Sequence, residues 1–296
     1  MSQKIDLGSV ITAMITPFNE KGAVDYNEAC RLAVWLCENG SDTILLAGTT
    51  GESPTLTHDE EKILFTEVKK ALGKKGKVMA GAGSNCTKTA VEATQAAEKI
   101  GVDCVLQVVP YYNKPSQEGM YQHFKTIAES TLLPIVLYNI PGRTGVNMLP
   151  ETTARLAEID NIIALKAACG NLEQIKKTKK ICPKDFEIYS GDDGLTLDIV
   201  KIGGEGVISV ASHLVGKQIK RMINAVEEEK MDEAEAINKE LAEIFKILFI
   251  TTNPSPVKYA TSLLGFKVGK PRLPLVEPTI EEKAKIKKAM QDLKLI

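Results

Sequence analysis

Hydrophobic positions along this chain alternate between two periods, and the alternation repeats eight times. Short apolar runs suited to buried strands are each followed by a stretch whose apolar residues recur every three or four positions, as on one face of a helix. Residues 9–14 form the first run, and Asp25 caps an amphipathic segment carrying Ala29, Leu32, Ala33, Leu36 and Cys37. Residues 43–48 precede a helix over 58–72 with apolar Ile63, Leu64 and Val68; 77–82 precede one over 87–100, and 103–109 one over 117–129. Residues 134–139 lead to a helix over 150–158, and the run from Asn161 leads to 172–180. Residues 186–190 and 206–210 complete the series, each with a helix behind it. Strand–helix units spaced roughly 20 to 35 residues apart predict a (β/α)8 TIM barrel, with a doubly wound open sheet as the competing arrangement.

Beyond about residue 229 the strand pattern stops. Residues 231–250 read as a long amphipathic helix with Ile244, Leu248 and Ile250 on its apolar stripe; Asn253-Pro254-Ser255-Pro256 reads as a hinge, and 279–293 as a last helix. The expected organisation is a catalytic barrel over 1–230 and a C-terminal helical domain over 231–296. That appendage has an apolar stripe to bury on the barrel or on another subunit.

Composition narrows the chemistry. With 296 residues and 44% hydrophobic content, material for a full core is ample. Thirty-seven Lys plus Arg against 38 Asp plus Glu leave a net charge of −1, no footprint for nucleic acid or an anionic membrane, so a small metabolite is the natural partner. Residues 1–7 lack the apolar core of a secretory leader, and no later stretch has the length of a membrane span; a cytoplasmic protein is expected. The six cysteines are scattered, without a Cys-x-x-Cys pair, and the three histidines lie far apart, so metal-free chemistry is expected. The run Gly81-Ala82-Gly83-Ser84-Asn85-Cys86 lacks the third glycine of a dinucleotide fingerprint, and there is no phosphate-binding Gly-x-x-x-x-Gly-Lys loop, His-Glu-x-x-His or Gly-x-Ser-x-Gly.

Candidate chemistry gathers where a barrel puts it, at the carboxyl ends of strands. In residues 161–170 one lysine, Lys166, interrupts an apolar run that ends in small residues. Alternation places it with Ile162 and Ala164. If that face is the core, loss of hydration lowers the ammonium's pKa and makes an amine able to form a Schiff base with a carbonyl; if the strand ends one residue earlier, Lys166 points into solvent. Gly48-Thr49-Thr50-Gly51-Glu52 is either a carboxylate cradle or an ordinary loop. Pro110-Tyr111-Tyr112-Asn113-Lys114-Pro115 and residues 138–145, which contain Tyr138 and Arg143, add phenols and a guanidinium; Tyr138 also fits a core position. In Ser190-Gly191-Asp192-Asp193-Gly194 the acids either cap the next helix or face a substrate. The lysines at 176, 177, 179 and 180 read as a solvated helix face.

Taken in order, the 48–52 loop, residues 138–145, Lys166, Ser190-Gly191-Asp192-Asp193, Gly206-Val207-Ile208-Ser209-Val210, the 110–115 loop and Asn253-Pro254-Ser255-Pro256-Val257-Lys258 resemble the dihydrodipicolinate synthases of the N-acetylneuraminate lyase superfamily. The resemblance runs nearly end to end. It implies a TIM barrel that condenses pyruvate with L-aspartate 4-semialdehyde to 4-hydroxy-tetrahydrodipicolinate, on the way to diaminopimelate and lysine, with no cofactor beyond a covalent pyruvate imine on Lys166. It also implies a proton relay of Tyr138, Thr49 and Tyr112, the last serving a neighbouring subunit across a tight dimer interface, in a tetramer made of two such dimers. Thr49 and Thr50 would hold the pyruvate carboxylate, Arg143 that of the semialdehyde, and Gly191 and Ile208 would border the substrate. Ser53, His58, Asn85 and Tyr111 are similar to an effector pocket for lysine.

Two departures accompany the resemblance. Ala167 stands where the family usually carries an acid. Glu61 and Thr89 stand where a histidine and a glutamate are frequent in lysine-inhibited members, which predicts weak or absent feedback. The rival readings are a pyruvate-dependent sugar-acid aldolase of N-acetylneuraminate or 2-keto-3-deoxygluconate type, against which Arg143 speaks, and a non-catalytic pyruvate-binding sensor, for which Ala167 speaks.

Overall fold

A computed structural model describes residues 5–296; the first four residues of the amino-terminal stretch lie outside it. Eight strands, β1 (Val10–Ala13), β2 (Thr43–Leu46), β3 (Lys77–Gly81), β4 (Cys104–Val108), β5 (Ile135–Asn139), β6 (Ile162–Ala167), β7 (Glu187–Ser190) and β8 (Gly206–Ser209), close a barrel in chain order. The open-sheet alternative is not formed. Pairing is parallel, and Tyr138, Lys166 and Tyr189 stand side by side on β5, β6 and β7. The strands read as apolar runs rather than alternations because both faces are covered: every residue of β1 and β5 is buried. They are a residue or two shorter than the runs that announce them; after β2 the end of the run already turns, and Ala47 has a left-handed φ of 50°.

The helices are α1 (Tyr26–Glu38), α2 (His58–Leu72), α3 (Thr87–Ile100), α4 (Gln117–Glu129), α5 (Pro141–Thr144), α6 (Pro150–Ala157), α7 (Leu172–Ile181), α8 (Thr196–Lys201), α9 (Ser212–Glu227), α10 (Met231–Ile247), α11 (Ser255–Leu263) and α12 (Ile280–Asp292). Several begin where the sequence places them because their caps are local. The Asp25 carboxylate accepts from Glu28 N at 3.0 Å, and Thr57 and Glu60 form a reciprocal capping box, each such cap being worth about 1 kcal/mol.

Two expectations fail, and one element was missed. Ile63 is 46% exposed: the buried face of α2 is Glu61, Leu64, Phe65, Val68 and Leu72, and a neighbour 100° round the helix falls off it. The Asn253–Pro256 stretch is no hinge. It is buried and opens α11, with Pro256 in the first turn, where a missing N–H costs nothing. The single turn α5, too short for periodicity to announce, was not foreseen.

Packing divides the chain into two units. One comprises residues 79–208 with the described part of 1–8, so it holds β4 to β7 with α3 to α8. The other comprises 9–78 and 209–296, with β1, β2, α1, α2 and α9 to α12. The expected boundary near residue 230 falls between α9 and α10, inside this second unit, where Met222, Ile223, Ala234, Leu241, Ile244 and Leu248 are buried and Ile250 half-buried. Among the described residues no helix is long and apolar enough to cross a membrane.

Candidate active site

Strand β6 runs on through Ala167, so Lys166 lies inside it and is only 6% exposed. The solvent-facing alternative is thereby removed. Burial pulls its ammonium down from the ordinary 10.5 to about 8; the Asp193 carboxylate pulls the other way, and the Arg143 guanidinium pushes it further down. Nζ sits 4.4 Å from the centre of the Tyr138 ring, the register neighbour on β5. Tyr138 itself is buried, so the core reading of this residue and the catalytic one describe the same position.

Gly191 has a steric reason to be glycine. A Cβ there would stand 2.8 Å from Ala168 Cβ and 3.1 Å from Lys166 Cγ and Cε, in the path of the lysine arm. The two acids that follow divide the work left open by the sequence. Asp192 caps, its Oδ1 accepting from Gly194 N at 2.9 Å, whereas Asp193 is buried and bears electrostatically on Lys166. Ile208, near the end of β8, is buried.

Arg143 is exposed at the α5 turn, and that turn is held at its base. Asn139 Nδ2 donates to Asn147 Oδ1 (2.8 Å) and Met148 O (3.1 Å), while its Oδ1 accepts from Met148 N (3.0 Å). Asn147 is held in turn by Gln174 on α7 and Gln117 on α4. These contacts bear on Ala167, which is buried in register with Asn139 and Ser190. Asn139 is satisfied by Asn147 and Met148, and Ser190 donates to Asp192 O at 2.6 Å, so neither neighbour needs a carboxylate at 167.

In the second unit the 48–52 loop is held from several directions. Thr49 is half-buried and Thr50 buried, its Oγ1 accepting from Asn253 Nδ2 at 2.9 Å. Thr16 Oγ1 donates to Gly51 O at 2.6 Å. Glu52, in a left-handed conformation (φ 58°) and 2% exposed, takes Lys258 Nζ on Oε1 at 2.6 Å and Arg272 N on Oε2 at 2.8 Å. The loop is therefore no ordinary surface turn.

The effector candidates are placed as follows. Glu61 takes the Ser53 hydroxyl on Oε1 at 2.9 Å and lies 3.1 Å from His58 Nδ1 through Oε2; burial pushes its carboxyl up, against the pull of both partners. In the other unit Asn85 Nδ2 donates to Tyr111 O at 3.2 Å. Next to it Tyr112 has a left-handed φ of 72° and is 89% exposed, projecting away from the chain that carries it. Among the described residues no cluster of three or more His, Cys, Asp or Glu side chains could hold a metal ion.

The model of the dihydrodipicolinate synthetase family matches residues 6–293. The chain belongs to this family. A 4-hydroxy-tetrahydrodipicolinate synthase from Nostoc sp. is 54% identical over 292 residues, covering 98% of this chain and 99% of its own. Among solved structures, the dihydrodipicolinate synthase of Cyanidioschyzon merolae with lysine bound superposes with a TM-score of 0.97 at 50% identity, covering 98% of this chain and 99% of that one. The chloride-inhibited enzyme of Acinetobacter baumannii complexed with pyruvate does so with 0.95 at 36% identity, covering 98% and 100%.

Asp193, Asn253 and Lys258 are the residues that sequence reasoning did not single out. Lys258 had a signal, a lysine within the apolar and small residues Val257, Ala260 and Thr261 of α11. For Asn253, read as hinge, and for the choice between Asp192 and Asp193, spacing offers none.

Proposed function

We propose that this barrel condenses pyruvate with L-aspartate 4-semialdehyde to give 4-hydroxy-tetrahydrodipicolinate and water, supplying lysine and diaminopimelate biosynthesis in the cytoplasm. The observation that carries the reading is the Lys166 amine, buried, drawn down to about 8 and set against the Tyr138 ring. Such an amine is neutral often enough near pH 7 to attack the keto carbon of pyruvate. Loss of water leaves an imine, whose electron withdrawal lets the methyl carbon shed a proton to become an enamine; that carbon adds to the aldehyde. The amino group of the semialdehyde then displaces Lys166, closing the ring and freeing the lysine.

In this scheme Tyr138, Thr49 and Tyr112 carry protons, Tyr112 from a neighbouring subunit, which its 89% exposure and left-handed backbone suit. Thr49 and Thr50 take the pyruvate carboxylate, Arg143 that of the semialdehyde in a bidentate grip, and Gly191 and Ile208 border the substrate. The working assembly is a tetramer of two tight dimers, and neither metal nor organic cofactor takes part. Arg143 favours this substrate over a sugar aldehyde, and the satisfied surroundings of Ala167 take away the support of a non-catalytic sensor.

Borohydride reduction in the presence of pyruvate, followed by peptide mapping, tests the reading: the adduct is expected on Lys166, and its absence there overturns the mechanism. Replacing the semialdehyde by a sugar aldehyde should abolish turnover. Feedback by lysine is expected to be weak, because Glu61 already engages both Ser53 and His58. Half-inhibition at sub-millimolar lysine would contradict this.

A further inference from the structure

Thr50 and Asn253 are 203 positions apart in the chain yet share a hydrogen bond of 2.9 Å, with Thr50 3% and Asn253 4% exposed. The direction of that bond has a chemical consequence. A threonine hydroxyl owns one hydrogen and two lone pairs. Here the Asn253 amide N–H occupies a lone pair, so Thr50 is an acceptor on that side and keeps its own hydrogen for the other. An ionised carboxylate can only accept, and it needs a hydroxyl in this state. Had the amide oxygen faced Thr50, the hydrogen would be spent on it.

The surroundings keep the two groups in place. Asn253 lies two residues before α11, whose Lys258 is anchored on Glu52, two residues beyond Thr50 in the loop. Glu52 also accepts from Arg272 N, and Gly51 O accepts from Thr16. The loop and the start of α11 are thus one rigid piece, and the hydroxyl's torsion is what Asn253 adds to it.

The geometry points to Asn253 as a positioning residue that presets the Thr50 hydroxyl as a donor for the carboxylate of a 2-oxo acid. This rests on the assignment of the pyruvate carboxylate to Thr50. Asn253 does not touch the substrate; it acts through Thr50, and so it governs pyruvate capture rather than the later carbon–carbon bond.

Steady-state kinetics on the full-length enzyme, varying each substrate in turn, test this. For Asn253→Ala, KM for pyruvate should rise about tenfold, the worth of one charge-assisted hydrogen bond at the lower end of its range, while KM for the semialdehyde stays within about twofold. Asn253→Asp keeps the shape but presents only acceptors, taking the hydrogen from Thr50, and should raise KM for pyruvate about a hundredfold. In a Thr50→Val background, Asn253→Ala should add nothing. A KM for pyruvate unchanged in Thr50→Val overturns the assignment of Thr50 and the inference with it. An increase in Thr50→Val with none in Asn253→Ala or Asn253→Asp overturns the inference alone. Equal losses with both substrates in every Asn253 variant, accompanied by a lowered Tm, would mean that the residue only holds α11; if Asn253→Ala does not fold, the isosteric Asn253→Asp decides.

Discussion

Two buried lysines, one in each unit, share a burial-depressed pKa and differ in everything else. Lys166 is 6% exposed and Lys258 1%, and burial draws both down to about 8. Around Lys258 that pull is opposed by Glu52 at 2.6 Å, with Lys270 O at 3.4 Å and the Phe18 ring at 3.9 Å completing the shell. Its hydrogens are committed and its position is set. Lys166 instead has its Nζ 4.4 Å from the centre of the Tyr138 ring, and the charges of Asp193 and Arg143 act on it in opposite senses. Desolvation is common to a structural and a chemical lysine; what separates them is whether an acceptor has claimed the amine. A shifted pKa alone would have nominated the wrong residue as readily as the right one.

The comparison can be broken most directly by removing each amine. Lys166→Met should lower kcat/KM by at least about 10³-fold while leaving Tm nearly unchanged or raised, since it exchanges a desolvated charge for an apolar arm. Lys258→Met should act chiefly on stability, with a smaller effect on catalysis through the loop that Glu52 anchors. It leaves the Glu52 carboxylate buried without its cation, a loss of about 3–5 kcal/mol that lowers Tm by roughly 10 °C in a chain of this size. Adding Glu52→Gln to Lys258→Met should recover most of the melting temperature, because the neutral side chain still accepts from Arg272 N. A catalytic collapse in Lys258→Met without thermal loss would show that the two lysines are not divided between chemistry and structure.

A smaller effect lies in the pH profile. Only the neutral Lys166 amine attacks, so kcat/KM for pyruvate should climb as pH rises and level off above about 8, not near 10.5. Between pH 7 and the plateau the gain is about tenfold, from the fraction of free amine at each pH. Glu52→Gln, distant in role, should leave that limb in place; a limb displaced to near 10 would show that Lys166 is hydrated.

The smallest effect concerns the outer layer of the Lys258 cluster. Arg272 grips Glu60 with two bonds, 2.9 and 2.6 Å, at side chains 21% exposed, and that contact draws the Glu60 carboxyl down to about 2. The stabilisation is present above the ordinary 4.5 and fades as pH falls through about 2. Because water screens the pair, Glu60→Gln should cost about 1 kcal/mol or less by denaturant unfolding at pH 7.

Much of the fold was legible along the chain. The eight apolar runs, the cap at Asp25 and the spacing of apolar helix positions are interactions within four residues, and the helices read over 58–72, 87–100 and 117–129 have those observed ends. Lys166 was legible too, as a cation that apolar neighbours would desolvate. Ile63 was misread because one apolar residue beside a buried face looks the same in sequence as one on it. The 253–256 stretch was misread because proline signals a break equally well at a hinge and in a helix's first turn.

By itself, then, the sequence determined which segments are strands and helices, that they alternate, and which lysine sits in an apolar strand, all of them consequences of contacts a few residues long. Only the tertiary structure decided that Asp193 rather than Asp192 bears on Lys166, that Asn253 donates to Thr50, and that Lys258 is tied to Glu52 across 206 positions. These pairings depend on where separate elements meet, and no periodicity encodes the partner of a polar side chain once the chain between the two has folded back on itself.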